Sequence, residues 1–508
     1  MVAYAVPKLS KARKLGRKQV LLVAVFACGT HVSGQETQPA GSPPTVNVAD
    51  NDAVRQALQK LDVWLEGRLL KDHLTSLAVG VVYDQQLVWS KGYGYADVAR
   101  QVPATDQTLY RVASITKLFT ATAVMQLVER GKLSLEDPVQ KYLKWFTPPE
   151  PAAADPVLVW HLLTHTGGLQ REIPGMDWDK LEVETPAEVE AAAALTPLKF
   201  PPQVRQKYSN YAFMVAGQLV EQVAGVPYRE YVEARIFQPL GMSGTRVLNG
   251  DETDPQLAVP YGRRCADGLR PIEPQMPGSA LQSVGGIATS VRDLARFASL
   301  QFCTGDDYTG PVLTGRSLRE MHRPRWLAPD WGRGQGIGWF LLRRDRTILL
   351  AHEGGLPGFR SALLINPVQK VAVIVLSNSD EANVGAIGEG ALGVVTGPIE
   401  KAAQPAEPPV AADADLARFE GLYRNRWGEH LRVAIVGGKL CVLAIEADDI
   451  QAGTTTLERL GPTTFRTHVG ELRMGGDVED VVEFAVDAEG HATSFTKESG
   501  AYRFHRVN

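Results

Sequence analysis

The chain has 508 residues, 53 Lys and Arg against 57 Asp and Glu, a formal charge of -4, 44% hydrophobic residues and 22% charged ones. These values exclude a collagen-like, low-complexity or polytopic membrane chain, and the mildly acidic total argues against a nucleic-acid binder, which would carry a basic excess. At roughly 150 residues per domain the length allows about three domains, or one large core with an appendage.

The charge is uneven from the start. Residues 1–34 hold six basic side chains (Lys8, Lys11, Arg13, Lys14, Arg17, Lys18) and no acidic one, and the basic run leads into the apolar stretch Val20 to Ala27. Such a stretch suits a signal-peptide core and is too short to span a bilayer. We therefore expect an export signal over 1–34 and a bacterial protein that is periplasmic or secreted. Cleavage after Val32-Ser33-Gly34 is one expectation. The other is cleavage before Cys28, within the lipobox-like Val25-Phe26-Ala27-Cys28, with a lipid anchor on that cysteine. The plain alternative is a basic tail ahead of a buried strand. Removing the six basic residues leaves 47 against 57 acidic ones, about -10 for a mature chain. Cys265, Cys303 and Cys441 would remain, an odd number that cannot form a full disulfide framework. Buried thiols are expected, with a Cys265 to Cys303 bridge as the alternative.

Residues 35–50 read as a Pro-, Gly- and Ser-rich tether. Val54, Leu58, Leu61, Leu65 and Leu69 then recur at steps of three and four, which predicts a helix. Ala78 to Tyr83 and Leu87 to Tyr93 predict a hairpin around Asp84-Gln85-Gln86. Residues 115–130 return to helical spacing and stop at Gly131. After helices and long loops come three strands, Thr347 to Ala351, Ser361 to Ile365 and Val371 to Leu376, then a helical stretch to about 396. Strands at both ends with helices between predict one α+β domain over 51–396, an antiparallel sheet flanked by helices whose terminal segments share that sheet. Residues 397–413 read as a Pro/Ala linker. In 414–508, short strands such as Leu431 to Val436, Lys439 to Ile445, Val481 to Val486 and Ala501 to His505 predict a small antiparallel barrel.

The chemistry begins at Ser114-Ile115-Thr116-Lys117. A hydroxyl needs a nearby base to act as a nucleophile, and a lysine three residues on along a helix lies on nearly the same face. A serine in a helix's first turn also brings its own N–H to the positive end, where an oxyanion can be held. A second match, Ser494-Phe495-Thr496-Lys497, falls in a strand-rich segment, where residues three apart point to opposite faces. Tyr208-Ser209-Asn210 follows, with a tyrosine suited to carrying protons and an asparagine able to donate to a substrate carbonyl. A similar Tyr423-Arg424-Asn425 in the C-terminal part reads as a core Tyr beside a turn Asn. His352-Glu353-Gly354-Gly355 lies at the end of an apolar strand. There the glycines admit close approach, the Gly355 N–H can complete an oxyanion hole, and the histidine adds a donor. The plain alternative is a strand-terminal His before a Gly turn.

In this order, Ser114-Ile115-Thr116-Lys117, Tyr208-Ser209-Asn210 and His352-Glu353-Gly354 resemble the three motifs of the serine β-lactamase and penicillin-binding-protein superfamily. The nearest branch is that of class C β-lactamases, D-aminopeptidases and family VIII carboxylesterases. His161 to Leu169, Pro239 to Met242, Gly285 to Ser290 and Gly336 to Trp339 also resemble that branch. His352 stands where β-lactamases usually have Lys, Glu353 where they have a hydroxyl residue, and Gly167 where relatives frequently have Ser. A histidine is a weaker, pH-dependent cation for a β-lactam carboxylate, and the esterase and peptidase members often carry it.

The resemblance implies acyl transfer. Ser114 would attack, Lys117 with Tyr208 would take its proton, and Ser114 and Gly355 would hold the oxyanion. Asn210 would orient the substrate carbonyl, and Tyr208 or His352 would protonate the leaving group. Esters or D-amino-acid peptides are the expected small-molecule or peptide substrates, with weak β-lactamase activity as the alternative and a non-catalytic binding module as one of another class. The C-terminal part resembles the lipocalin-like domains of some members, and by that resemblance it would roof the site or mediate homo-oligomers. No cofactor is implied. His161 and His165 have a zinc-like i, i+4 spacing, but Leu162 replaces the glutamate of His-Glu-x-x-His. No Gly-x-Ser-x-Gly elbow occurs, and Gly332 to Gly338 miss the dinucleotide spacing.

Overall fold

The computed structural model describes residues 47–508 apart from 150–154, 177–184, 249–255, 265–267, 269–271, 273–278, 345–346, 405–413, 437, 445–453, 469–480, 498–501 and 508. The export signal, Cys28, most of the tether and Cys265 lie outside the described residues. Cys303 and Cys441 are free thiols, so Cys303 forms no bridge here. No helix among the described residues is long and apolar enough to cross a membrane.

The first helix, Asp52–Lys71, is capped by Asn51, whose side chain accepts from the Ala53 N–H at 2.9 Å, and it buries Val54, Leu58, Leu61 and Leu65. The hairpin forms as Ser76–Tyr83 and Gln86–Asp97. It joins an antiparallel sheet of nine strands, which run in space Val102–Pro103, Gln86–Asp97, Ser76–Tyr83, Val371–Ser377, Phe359–Asn366, Thr347–Leu356, Phe340–Arg344, Arg333–Gln335 and Trp326–Leu327. The two ends of the domain meet at its centre, where Ala78 opposes Leu376 and Tyr83 opposes Val371.

Both faces of that centre are buried, which is why its strands are near-continuous apolar runs. On one face Val79, Val81, Leu364, Val373 and Val375 pack under the first helix and the last, Val384–Ala403. On the other face Ala78, Val82, Leu363, Ile374 and Leu376 pack under the helical half, built around Thr116–Glu129, Asn210–Ala224 and Val291–Leu300. Thr116–Glu129 is buried from Thr116 to Leu127 on every side. It is a central helix, and the single apolar side that its spacing predicts understates its burial.

Two further readings change. The third motif lies inside a strand that runs on to Leu356, and the turn comes only at Gly358, with φ +74°. The last helix continues to Ala403 across Gly397 and Pro398, so the start of the expected linker is helical. Residues 414–508 contain a closed eight-stranded barrel in meander order. Its interior is aromatic, with Phe419, Tyr423, Phe465, Phe484, Phe495 and Phe504. Gly421–Arg424, Thr454–Arg459, Thr464–His468 and Ala492–Lys497 supply the strands beyond those singled out in the sequence.

Candidate active site

Ser114 sits in a single 3-10 turn, Ala113–Ile115, that leads directly into the central helix. The preceding Ala113 has φ +47°, a left-handed conformation that costs energy for a residue with a Cβ. The surroundings hold the turn in place. The Val112 N–H donates to the Ile287 carbonyl at 3.0 Å, and the Val112 carbonyl accepts from the Ser361 hydroxyl at 2.8 Å. That carbonyl presses on Gly354, where a Cβ would overlap both it and the Ser361 hydroxyl. Gly354 is thus the point where the strand carrying the third motif touches the turn carrying the serine.

One helical turn on, Lys117 is fully buried, with Nζ 3.0 Å from Ser114 Oγ and donating to the Val284 carbonyl at 3.1 Å. Burial holds its pKa well below the usual lysine value, partly opposed by the Glu172 carboxylate and assisted by Arg171. The Tyr208 ring lies 5.1 Å from Nζ and the Phe213 ring 5.7 Å. Burial pushes the Tyr208 phenol up to about 12, eased by its hydrogen bond with Ser114. At neutral pH the Tyr208 phenol therefore keeps its proton, while burial disfavours the charged form of Lys117.

Asn210 opens the helix Asn210–Ala224, where Ser209 is the cap, accepting from the Ala212 N–H at 2.9 Å. The Asn210 side chain donates from Nδ2 to Glu172 Oε1 at 2.7 Å, and its Oδ1 is buried without a partner. His352 is buried, and its Nδ1 lies 2.8 Å from the Glu353 carbonyl. A carbonyl only accepts, so Nδ1 carries the hydrogen. Burial, with Lys117 adding to it, lowers the imidazole pKa to about 3, so the ring is neutral and Nε2 is a bare acceptor. This reverses the donor role that the motif suggests. Glu353 points to the other face, where its carboxylate lies against Gly385 of the last helix. The strand's register with Phe340–Arg344 ends at Ala351 opposite Phe340, while its register with Phe359–Asn366 continues through Gly355 opposite Arg360. From His352 onward one backbone edge is left unpaired among the described strands, and Gly355 lies on that stretch.

The fold thus gathers Ser114, Lys117, Tyr208, Asn210, His352, Gly354 and Gly355 from three distant segments. The two decoys are elsewhere. Ser494 opposes His505 in the barrel and Lys497 opposes Tyr502, and Tyr423 is a core residue donating to the Phe419 carbonyl at 2.8 Å. Sequence reasoning passed over three contributors and weighed a fourth, His165, only as a metal ligand. Val284 offers only a backbone carbonyl, which no side-chain pattern reveals. Arg171 and Glu172 follow shortly after the noted segment ending at Leu169. His165 lies within that segment, its Nδ1 accepting from the Ser209 N–H at 3.1 Å and its ring 4.4 Å from Tyr208. His161 Nδ1 likewise accepts a backbone N–H, that of Leu158, at 3.0 Å, so both histidines brace backbone.

The Beta-lactamase family profile matches residues 51–394. The chain belongs to the beta-lactamase family. Within reach of this family, Protein flp of Staphylococcus aureus (strain MRSA252) is 26% identical over 321 residues, 63% of this chain and 62% of that protein, so the match spans less than two thirds of this curated relative's length. The octameric penicillin-binding protein homologue from Pyrococcus abyssi shares the fold with a TM-score of 0.60 and 26% identity, covering 88% of this chain and 99% of its own. The D-amino acid amidase of Ochrobactrum anthropi SV3, solved with L-phenylalanine amide, shows a TM-score of 0.55 and 26% identity over 69% of this chain and 98% of its own.

Proposed function

We propose that this protein is an exported serine hydrolase that forms an acyl-enzyme through Ser114 and cleaves carboxylic esters or D-amino-acid-containing peptides and amides. The observation that carries this reading is the buried Lys117 amine, held well below its usual pKa, 3.0 Å from the Ser114 hydroxyl. An uncharged amine takes the Ser114 proton as Oγ bonds to the substrate carbonyl carbon, and the Ser114 and Gly355 N–H groups hold the oxyanion. The Tyr208 phenol gives its proton to the leaving group and is reprotonated from Lys117. Water then attacks the acyl-enzyme by the reverse relay, releasing the acid and Ser114. Similarity to a D-amino acid amidase supports amide substrates. The neutral His352 in place of a permanent cation weighs against β-lactams as the main ones.

A fluorophosphonate probe should label the wild type and not Ser114→Ala; label retained in the variant would move the nucleophile elsewhere. Parallel assays on a nitrophenyl ester, a D-alanine anilide and a chromogenic cephalosporin should rank the cephalosporin last, and turnover of it far above the ester would make this a β-lactamase. Export rests on the basic and apolar runs of residues 1–34, and cell fractionation tests it. The octameric homologue covers 88% of this chain, more than the catalytic domain alone, and supports a homo-oligomer. Light scattering on the purified protein should give a mass above the 55.3 kDa of one chain; a monomer would end that reading.

A further inference from the structure

The wall of the site on the side of Asn210 has a polarity opposite to that implied by the motif. Because a carboxylate can only accept, the 2.7 Å contact with Glu172 Oε1 fixes the Asn210 amide with Nδ2 toward Glu172 and Oδ1 turned away. Asn210 is 5% exposed, and that Oδ1 has no partner. An orphaned buried acceptor is costly unless a ligand satisfies it. The pair is held by backbone. The Arg171 carbonyl accepts from the Asn210 and Tyr211 N–H groups at 2.7 and 3.1 Å, and the Ser209 hydroxyl ties the helix start to the Gln170 carbonyl. Glu172 is 18% exposed and faces the centre closely enough for its charge to act on both Lys117 and Tyr208. Its neighbour Arg171, with Nε at 3.3 Å from that carboxylate and its guanidinium 5.2 Å from the Tyr208 ring centroid, is the cation that competes for Glu172.

We infer that Asn210 Oδ1 and the Glu172 carboxylate form a subsite for a protonated amine on the acyl half of the substrate, such as the free α-ammonium of an amino-acid amide, ester or peptide N-terminus. This rests on Ser114 being the nucleophile. An ammonium group donates to both acceptors at once, and both bonds are charge-assisted. N-acylation removes the charge and leaves one neutral N–H donor in place of three charged ones.

The test is a ratio of kcat/KM values for the full-length protein, D-alanine nitroanilide over its N-acetyl derivative. The wild type should favour the free amine by about 10- to 100-fold, the range of a charged hydrogen bond. Glu172→Gln should bring the ratio near one, whatever its effect on absolute rate, and Arg171→Met, which removes the competing cation, should raise it. A wild-type ratio at or below one overturns the subsite, as does a ratio unmoved by Glu172→Gln. Should Glu172→Gln fail to fold, a ratio unmoved by Arg171→Met overturns it. If the wild type still takes the phosphonate label and turns over esters, only the subsite falls. If it shows neither label nor turnover, the reading of Ser114 falls and the subsite with it.

Discussion

At Ser114 the outcome turns on which neighbour can take a proton at neutral pH. Burial works in opposite directions on the two candidates, lowering the pKa of Lys117 and so favouring its uncharged form, and keeping the Tyr208 phenol protonated up to about 12. Acidification therefore protonates Lys117 and removes the base, so kcat/KM on a neutral ester should fall as pH drops. His352, at about 3, stays neutral throughout. The pH profiles of the wild type and His352→Gln should keep one shape between pH 5 and 8 and differ only in height; an ionisation lost from that window would show that His352 titrates there. Ser114, Lys117 and Tyr208 could be singled out in the sequence because their motifs, in that order, resemble those of the serine β-lactamase and penicillin-binding-protein superfamily. The hydrogen-bond polarity of Asn210 and His352 was not legible there, because a contact with Glu172 and one with the Glu353 carbonyl decide it.

Between elements, the decisive contact is that of the third-motif strand with the turn carrying Ser114, at Gly354. A methyl group there would overlap the Val112 carbonyl and the Ser361 hydroxyl, whereas at Gly355 it would meet only the Arg360 guanidinium, 3.3 Å away. Gly354→Ala should cost about 1–3 kcal/mol, the usual range for overpacking, and lower kcat/KM as the turn shifts. Gly355→Ala should melt close to the wild type. Equal melting temperatures for the two variants in thermal denaturation would remove Gly354 from this role. The first helix and the hairpin were legible because each buries one face or one run, which leaves a period in the sequence. The central helix Thr116–Glu129, apolar all round, hides its own burial, and the short strands Trp326–Leu327 and Arg333–Gln335 are too brief to leave any period.

At the scale of the molecule, two kinds of core coexist. The catalytic domain buries aliphatic residues on both faces of its sheet, whereas the barrel is filled by stacked and edge-on rings. Phe484 alone contacts Phe419, Tyr423, Phe465 and Phe495. Phe484→Ala should destabilise the barrel by about 3–5 kcal/mol, measured by chemical denaturation, and an unchanged midpoint would show that the cavity collapses at little cost. The order of the three motifs, the α+β class and the presence of a second, all-β part follow from local chemistry and periodicity, which act over a few residues and are written in the chain itself. The tertiary structure alone decided which face of Asn210 is an acceptor, that His352 is a bare base, that the Val284 carbonyl holds Lys117, and that the last helix runs through Pro398. Each depends on groups distant in sequence being pressed together in a medium of low polarity, where the loss of water sets charge and hydrogen-bond direction.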